Sequence, residues 1–214
     1  MTFSLVPETL APEIIWWTPS SATLARPSDF REDAATWRDA GKETMVGTFH
    51  GAELDNQNSR VIVTVWKSLA HHQEFMSQEA YADLVLPLLE AMKGPYDVHQ
   101  VIMKVPSLDL VYALSAPVTQ FIYVTMRPGH GINDELVPLI EKLQKGLEGV
   151  AGCIASSWGP STEKEALQIG IVGWRSILDR NYAVNGPLFG IVHRIRELSD
   201  VEIRYASLVS DTMI

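Results

Sequence analysis

The strongest constraint on this chain is that it repeats itself. Trp66-Lys67-Ser68 returns as Trp174-Arg175-Ser176, 108 positions later. The same offset lays Ile14 on Ile122, Gly41 on Gly149, Gly51 on Gly159, Val61 on Ile169 and Val63 on Ile171. A spacing held over about sixty positions marks a repeated structural unit rather than a short motif met twice. Near the end of each copy the offset slips: Asp97 and Val98 match Asp200 and Val201, so the second copy is five residues shorter there. Two units are expected, 1–110 and 117–214. Between them runs PSLDLVYALSAPVTQ, a connector that carries Pro106 and Pro117.

Both copies give the same order of elements. In the first, EIIWWT (13–18) is an apolar run of strand length closed by Pro19, and residues 28–40 place Phe30, Ala34 and Trp37 on one helical face, with Ser28 or Asp29 as the cap. TMVGTFHG (44–51) and the β-branched RVIVTVW (60–66) are strands around a polar loop. A helical segment then runs to about Met92, and VHQVIMKV (98–105) is the fourth strand. In the second copy FIYVTM (121–126), VAGCIASSW (150–158), LQIGIVGW (167–174) and VEIRYASLV (201–209) are strands. Leu136, Leu139, Ile140, Leu143 and Leu147 stripe the first of its two helices. The class is α+β: two ferredoxin-like β-α-β-β-α-β repeats. Helices cover one face of each four-stranded sheet, so the bare faces must meet, sheet to sheet, as an α/β barrel within one chain.

A second strand ending in glycine, a polar loop, and a third strand ending in Trp-x-Ser resemble the dimeric α/β-barrel superfamily, and most closely its antibiotic-biosynthesis-monooxygenase type. Gly51, Trp66 and Ser68 carry the resemblance in the first copy, Gly159, Trp174 and Ser176 in the second. It covers nearly the whole chain, read as a tandem fusion. The resemblance implies a pocket between sheet and helices, lined by the third-strand tryptophan and by the segment after it. One fold hosts many chemistries. The superfamily includes cofactor-independent oxygenases of aromatic polyketides, polyketide cyclases, haem-degrading enzymes, chlorite dismutase relatives and stress-induced proteins.

Haem-degrading relatives place an axial histidine about ten residues after the third-strand tryptophan, where this chain has Met76 and Val184. The cyclase dyad of tyrosine and histidine falls on Phe75 and Tyr81, and Phe75 cannot transfer a proton. Adjacent His71 and His72 diverge by about 100° on a helix, and no HxxxH or HExxH spacing occurs, so no metal site is expected. His71 is read as facing water. The oxygenase relatives need no metal or flavin, and the resemblance implies a dry site that steers a readily deprotonated phenol or enol by hydrogen bonds. The candidate catalytic groups are His72 and Tyr81. Candidate substrate contacts are Trp16, His50, Trp66, Phe75 and His99, in the histidine-rich first half.

The expected function is a cofactor-independent tailoring enzyme, a monooxygenase or cyclase of an aromatic or polyketide-like intermediate in secondary metabolism. The rival is a non-catalytic stress-type protein or binder of hydrophobic ligands. A net charge of −9 without a basic cluster argues against nucleic acid. No apolar run approaches the ~20 residues that cross a bilayer, and the N-terminus lacks the basic and apolar regions of a secretory leader. A single cysteine, Cys153, fits a reducing, cytoplasmic setting, with its side chain a small apolar strand residue. The partner expected is a hydrophobic small molecule, with room left for a homodimer.

Overall fold

The computed structural model describes residues 9–104 and 107–210. The first eight residues, on which much of the leader argument rested, and Pro106 of the connector lie outside the described residues. The elements run β1 (Thr9–Trp17), α1 (Ser21–Ala25), α2 (Pro27–Gly41), β2 (Met45–Glu53), β3 (Arg60–Trp66), α3 (Leu69–Met76), α4 (Tyr81–Glu90), β4 (Asp97–Gln100), β5 (Met103–Lys104) and α5 (Ser107–Leu114). There follow β6 (Val118–Met126), a π-helical turn at Ile132–Leu136, α6 (Val137–Leu147), β7 (Cys153–Pro160), β8 (Leu167–Trp174), α7 (Ile177–Asn185), α8 (Phe189–Leu198) and β9 (Ser199–Ser210). Pro27 sits in the first turn of α2, where its missing N–H costs nothing. The side chains of Ser28 and Asp29, expected as caps, lie outside the described residues.

Two separate sheets facing each other were expected; the strands instead form one curled antiparallel sheet. Its order is β4-β1-β3-β2-β9-β6-β8-β7, with β5 on β1. The seam at β2–β9 pairs Phe49–Glu53 with Ala206–Ser210. Glu53 on one side of it takes a two-pronged ion pair from Arg204 on the other, at 2.9 and 2.6 Å. At the far edges Val101 bridges Ser161. The Ile102 N–H donates to the Pro160 carbonyl at 3.2 Å, and the Thr162 N–H to the Gln100 carbonyl at 2.9 Å. Backbone pairing thus takes up both ends of the sheet.

Strand alternation divides the side chains between two faces. Ile14, Trp16, Phe49, Val61, Val63, Val65, Phe121, Tyr123, Ile169 and Ile171 point inward and share one core. The connector is more than a linker: as α5 it puts Leu110, Ala113 and Leu114 into that inner core, all fully buried. Gly173 lets it in, since a Cβ there would stand 2.7 Å from the Ala113 Cα. Outside, α2, α3 and α4 cover β1–β3 while α6 and α8 cover β6–β8.

The register corrects the sequence alignment in two places. Ile14 opposes Val63, but Ile171, the counterpart of Val63, opposes Phe121 rather than Ile122. In the same way Phe121 opposes Arg204, so the counterpart of His99, which opposes Ile14, is Arg204 and not Glu202. The 108-residue offset does hold from β2 to β3. Both copies even carry a register irregularity at the same place, Met45/Gly47 and Cys153/Ala155. Ser68 and Ser176 are explained as helix caps: each hydroxyl accepts the backbone N–H three residues on, at 3.2 Å from His71 and 3.1 Å from Asp179.

Because α5 fills the inner core, Leu110→Ala should destabilise the whole fold by about 3 kcal/mol. Chemical denaturation followed by tryptophan fluorescence measures this; a change below about 1 kcal/mol would mean the connector is peripheral.

Candidate functional site

Between the outer face of the first-half sheet and helices α2 and α4 lies a cavity of about 560 Å³. Its walls are mostly apolar: Ile15, Ile62 and Val98 from the sheet, Phe30, Ala34 and Trp37 from α2, Val85, Leu88 and Leu89 from α4. Few polar groups reach it, chiefly Glu13, Thr48, Thr64, His50, Arg38 and Tyr81. That combination of size and sparse polarity suits a small apolar ligand held in one orientation.

The matching space in the second half is only about 50 Å³. There Trp158 stands where the first half has His50, and its ring lies on Gly170, whose added Cβ would meet it at 2.5 Å. The first half has Ile62 at that glycine's place. A large side chain flat on the sheet fills one half, and its replacement by histidine leaves the other open.

Glu13 is the group that sequence reasoning missed. It was read only as the first residue of a strand, yet alternation with Ile14 and Trp16 puts it on the helix side, and its side chain is 16% exposed. Burial pushes its carboxyl up to about 7. The nearby Trp66 indole opposes the rise, without reaching full hydrogen-bond geometry, and the negative charge of Glu163 adds to it. In the second half the same register position, opposite the counterpart of Thr64, carries Gln120. Its Oε1 accepts the Trp174 indole N–H at 2.8 Å. An acid at the head of an apolar strand run was the available signal; its match to Gln120 appears only in the register.

Behind Glu13 lies His72. Its ring stacks on Trp66, 4.3 Å between centroids and 10° from parallel. Nδ1 is 2.7 Å from Gln100 Oε1, and Nε2 is 3.8 Å from Glu13 Oε1 with no other partner. Burial lowers the basicity of His72, and the Gln100 contact opposes this only in part. Tyr81 opens α4 and lines the cavity; burial, then the charges of Glu13 and Tyr96, hold its hydroxyl above the usual phenol range.

Among the expected substrate contacts, His50 lines the cavity. Trp66 and Phe75 are fully buried in the cluster with Trp37 that backs it. Trp16 and His99 lie on the opposite, inward face of the sheet and do not line it. Trp16 donates to the Tyr123 hydroxyl at 2.6 Å and carries the Arg204 guanidinium 3.7 Å over its ring, while His99 contacts Asp97 at 3.0 Å. The tryptophan on the helix side is Trp17, against Phe30. His71 is half-buried rather than facing water, with Nδ1 2.7 Å from the Ser68 hydroxyl. Cys153 is partly buried in the second-half core, and burial pushes its thiol up to about 11.

Met76, at the haem-ligand position of the resemblance, points to solvent away from the cavity. No group of three potential metal ligands converges among the described residues. No helix among them is long and apolar enough to cross a membrane.

The fold, one curled antiparallel sheet with helices on its outer face, is shared with several solved structures. A proposed monooxygenase of Fusobacterium nucleatum superposes with a TM-score of 0.71 over 96% of this chain and 95% of its own, at 8% identity. An anthrone oxidase-like protein gives 0.64 over 96% and 93%, at 12% identity. A chlorite dismutase of Candidatus Nitrospira defluvii gives 0.65 over 95% and 92%, at 9% identity. Such identities speak for the fold alone. No family profile matches the sequence, and no curated protein does.

A carboxyl that is easier to protonate folded than unfolded adds stability at low pH and loses it as pH climbs from its unfolded value to its folded one. Glu13 rises from 4.5 to about 7. Between roughly pH 4 and pH 8 the wild type should therefore lose about 3 kcal/mol relative to Glu13→Gln. Denaturation curves of both proteins across that range measure the difference; parallel curves would show an unperturbed carboxyl.

Proposed function

We propose that this protein is a cofactor-independent enzyme that removes a proton from an aromatic or polyketide-like small molecule in the first-half cavity. The monooxygenase reaction is the favoured outcome. We read the chain as a tandem pair of ferredoxin-like units, 1–110 and 117–214, with the second unit in a supporting role. One observation carries the reading: Glu13, the one carboxyl lining the cavity among the described residues, stands at the floor of an apolar cavity of about 560 Å³, where the supporting half has an amide and a filled core.

The chemistry follows from that carboxyl. Ionised Glu13 takes a proton from an acidic C–H or enolic O–H of the substrate. The carbanion transfers electrons to dioxygen and a C–O bond forms, giving a peroxide. Glu13 returns its proton to the peroxide, which loses water and leaves a carbonyl. In sum, one CH₂ and one O₂ become one C=O and one H₂O. Tyr81 and the threonine hydroxyls orient the substrate, and the apolar walls exclude water that would reprotonate the carbanion. A cyclase would begin with the same deprotonation and consume no oxygen.

Anthrone is a suitable first probe, since an anthrone oxidase-like protein shares the fold. Oxygen uptake and quinone absorbance should rise with enzyme, and Glu13→Gln should lower kcat on the order of 100-fold. Tyr81→Phe should cost about tenfold, mainly in KM, if it only orients. Activity retained in Glu13→Gln would remove Glu13 from the mechanism. Tight binding of aromatic ligands with neither oxygen uptake nor cyclisation across a polyketide panel would favour the binding-protein alternative.

A further inference from the structure

The reaction just described has a weak point: a proton held by Glu13 sits beside the carbanion it came from. The residues behind Glu13 address this. Gln100 is anchored by its amide, whose Nε2 donates to the Ala11 carbonyl at 2.8 Å and the Pro12 carbonyl at 3.1 Å. Its Oε1 is therefore the atom turned to His72 Nδ1, and as a pure acceptor it requires a proton on Nδ1. The buried, neutral imidazole must then carry a bare lone pair on Nε2, the atom that faces Glu13 at 3.8 Å with nothing else to accept from.

The rest of the shell keeps this arrangement in place. Stacking on Trp66 fixes the ring plane. The Gln100 backbone N–H donates to the Glu163 carboxylate at 3.1 Å. That carboxylate is held in turn by the hydroxyls of Ser161 at 2.7 Å and Thr162 at 2.9 Å. Burial alone would raise the Glu163 carboxyl, but these hydrogen bonds outweigh it and keep it ionised. A loop between β7 and β8 thus steadies a residue of the first-half site. In the second half the three positions carry Gln120, Arg180 and Tyr205, so neither an acid nor an imidazole stands there.

We propose that His72, locked by Gln100 with its Nε2 lone pair towards Glu13, accepts a hydrogen bond from protonated Glu13 and so holds the substrate's proton on the far side of the carboxyl until the peroxide has formed. Gln100 is the positioning residue of this lock. The proposal rests on the role of Glu13 given above. Protonation draws Glu13 and His72 together by about 1 Å, from the present separation to ordinary hydrogen-bond length. The proton stays on oxygen, since burial disfavours the imidazolium. The other ionisable or charged groups around Glu13 are Tyr81 from α4, Arg38 from α2, His50 from β2, Tyr96 and Glu163. Of these groups and His72 among the described residues, His72 is the one that turns a ring nitrogen without a hydrogen-bond partner to Glu13 at this range.

Nitrogen-15 spectra of histidine-labelled protein test this without any substrate. At pH 8 His72 should show a protonated Nδ1 and an unprotonated Nε2. As pH falls through the Glu13 titration, Nε2 should move by the amount expected of an accepted hydrogen bond, with no imidazolium formed. Gln100→Met should scramble the two tautomers, and Gln100→Glu, which still accepts from Nδ1, should restore them. A proton found on Nε2 in the wild type overturns the proposal, and so does an imidazolium that forms as Glu13 titrates. The wild-type spectrum decides even if Gln100→Met fails to fold. In deuterated water without oxygen, His72→Phe should raise the return of deuterium to unreacted anthrone several-fold, while Glu13→Gln abolishes the exchange. Unchanged exchange in His72→Phe also overturns the proposal. The expected tautomer in a protein that turns over no substrate would instead count against the function proposed for Glu13.

Discussion

The structure depends on a sheet that is apolar on both faces. A strand such as RVIVTVW cannot leave either side in water: Val61, Val63 and Val65 make one face wholly apolar, and Ile62 and Trp66 make much of the other so. Curling joins the inward faces into one core, to which both halves of the chain contribute along with the helix between them. The outward faces are then left for the helices. How closely those helices approach the sheet decides whether a half is solid or hollow.

The two halves act as internal controls for each other. They share strand order, the register irregularity in the second strand, and the serine caps. They differ where Trp158 covers Gly170 and His50 stands over Ile62. Beside that difference is a second one, Gln120 against Glu13. Packing and charge therefore change together at one place. An acid buried in an apolar wall is costly unless its protonation is useful, and the half that lacks the cavity also lacks the acid.

The seam shows a different use of buried charge. Arg204 is satisfied by Glu53, by the Ser59 hydroxyl at 2.9 Å and by the face of Trp16. It sits at the counterpart of His99, so the inward position that carries histidine in one half carries the cross-seam ion pair in the other. These groups are partnered inside the barrel, whereas the lone pair on His72 is left open towards Glu13. The contrast separates structural polarity from the polarity of the candidate site.

From the sequence came the 108-residue self-similarity, most of the strand positions and the alternation of strand faces, because these are local properties of spacing and side-chain type. The sequence pointed to His72, Tyr81 and His50 in the half that proved hollow. It took Trp16 as the pocket tryptophan where Trp17 faces the helices, since which parity faces inward depends on where the sheet finds its core. The match of Asp97-Val98 with Asp200-Val201 laid His99 on Glu202, two residues from its register counterpart Arg204, because register is fixed by hydrogen bonding between strands and leaves no mark in either strand alone. Tertiary structure alone brought Glu13, His72 and Gln100 together from a strand, a helix and another strand. It did so because β1 pairs with β4 at Glu13 and Gln100 while α3 lays His72 across them, a convergence that no single segment of sequence contains.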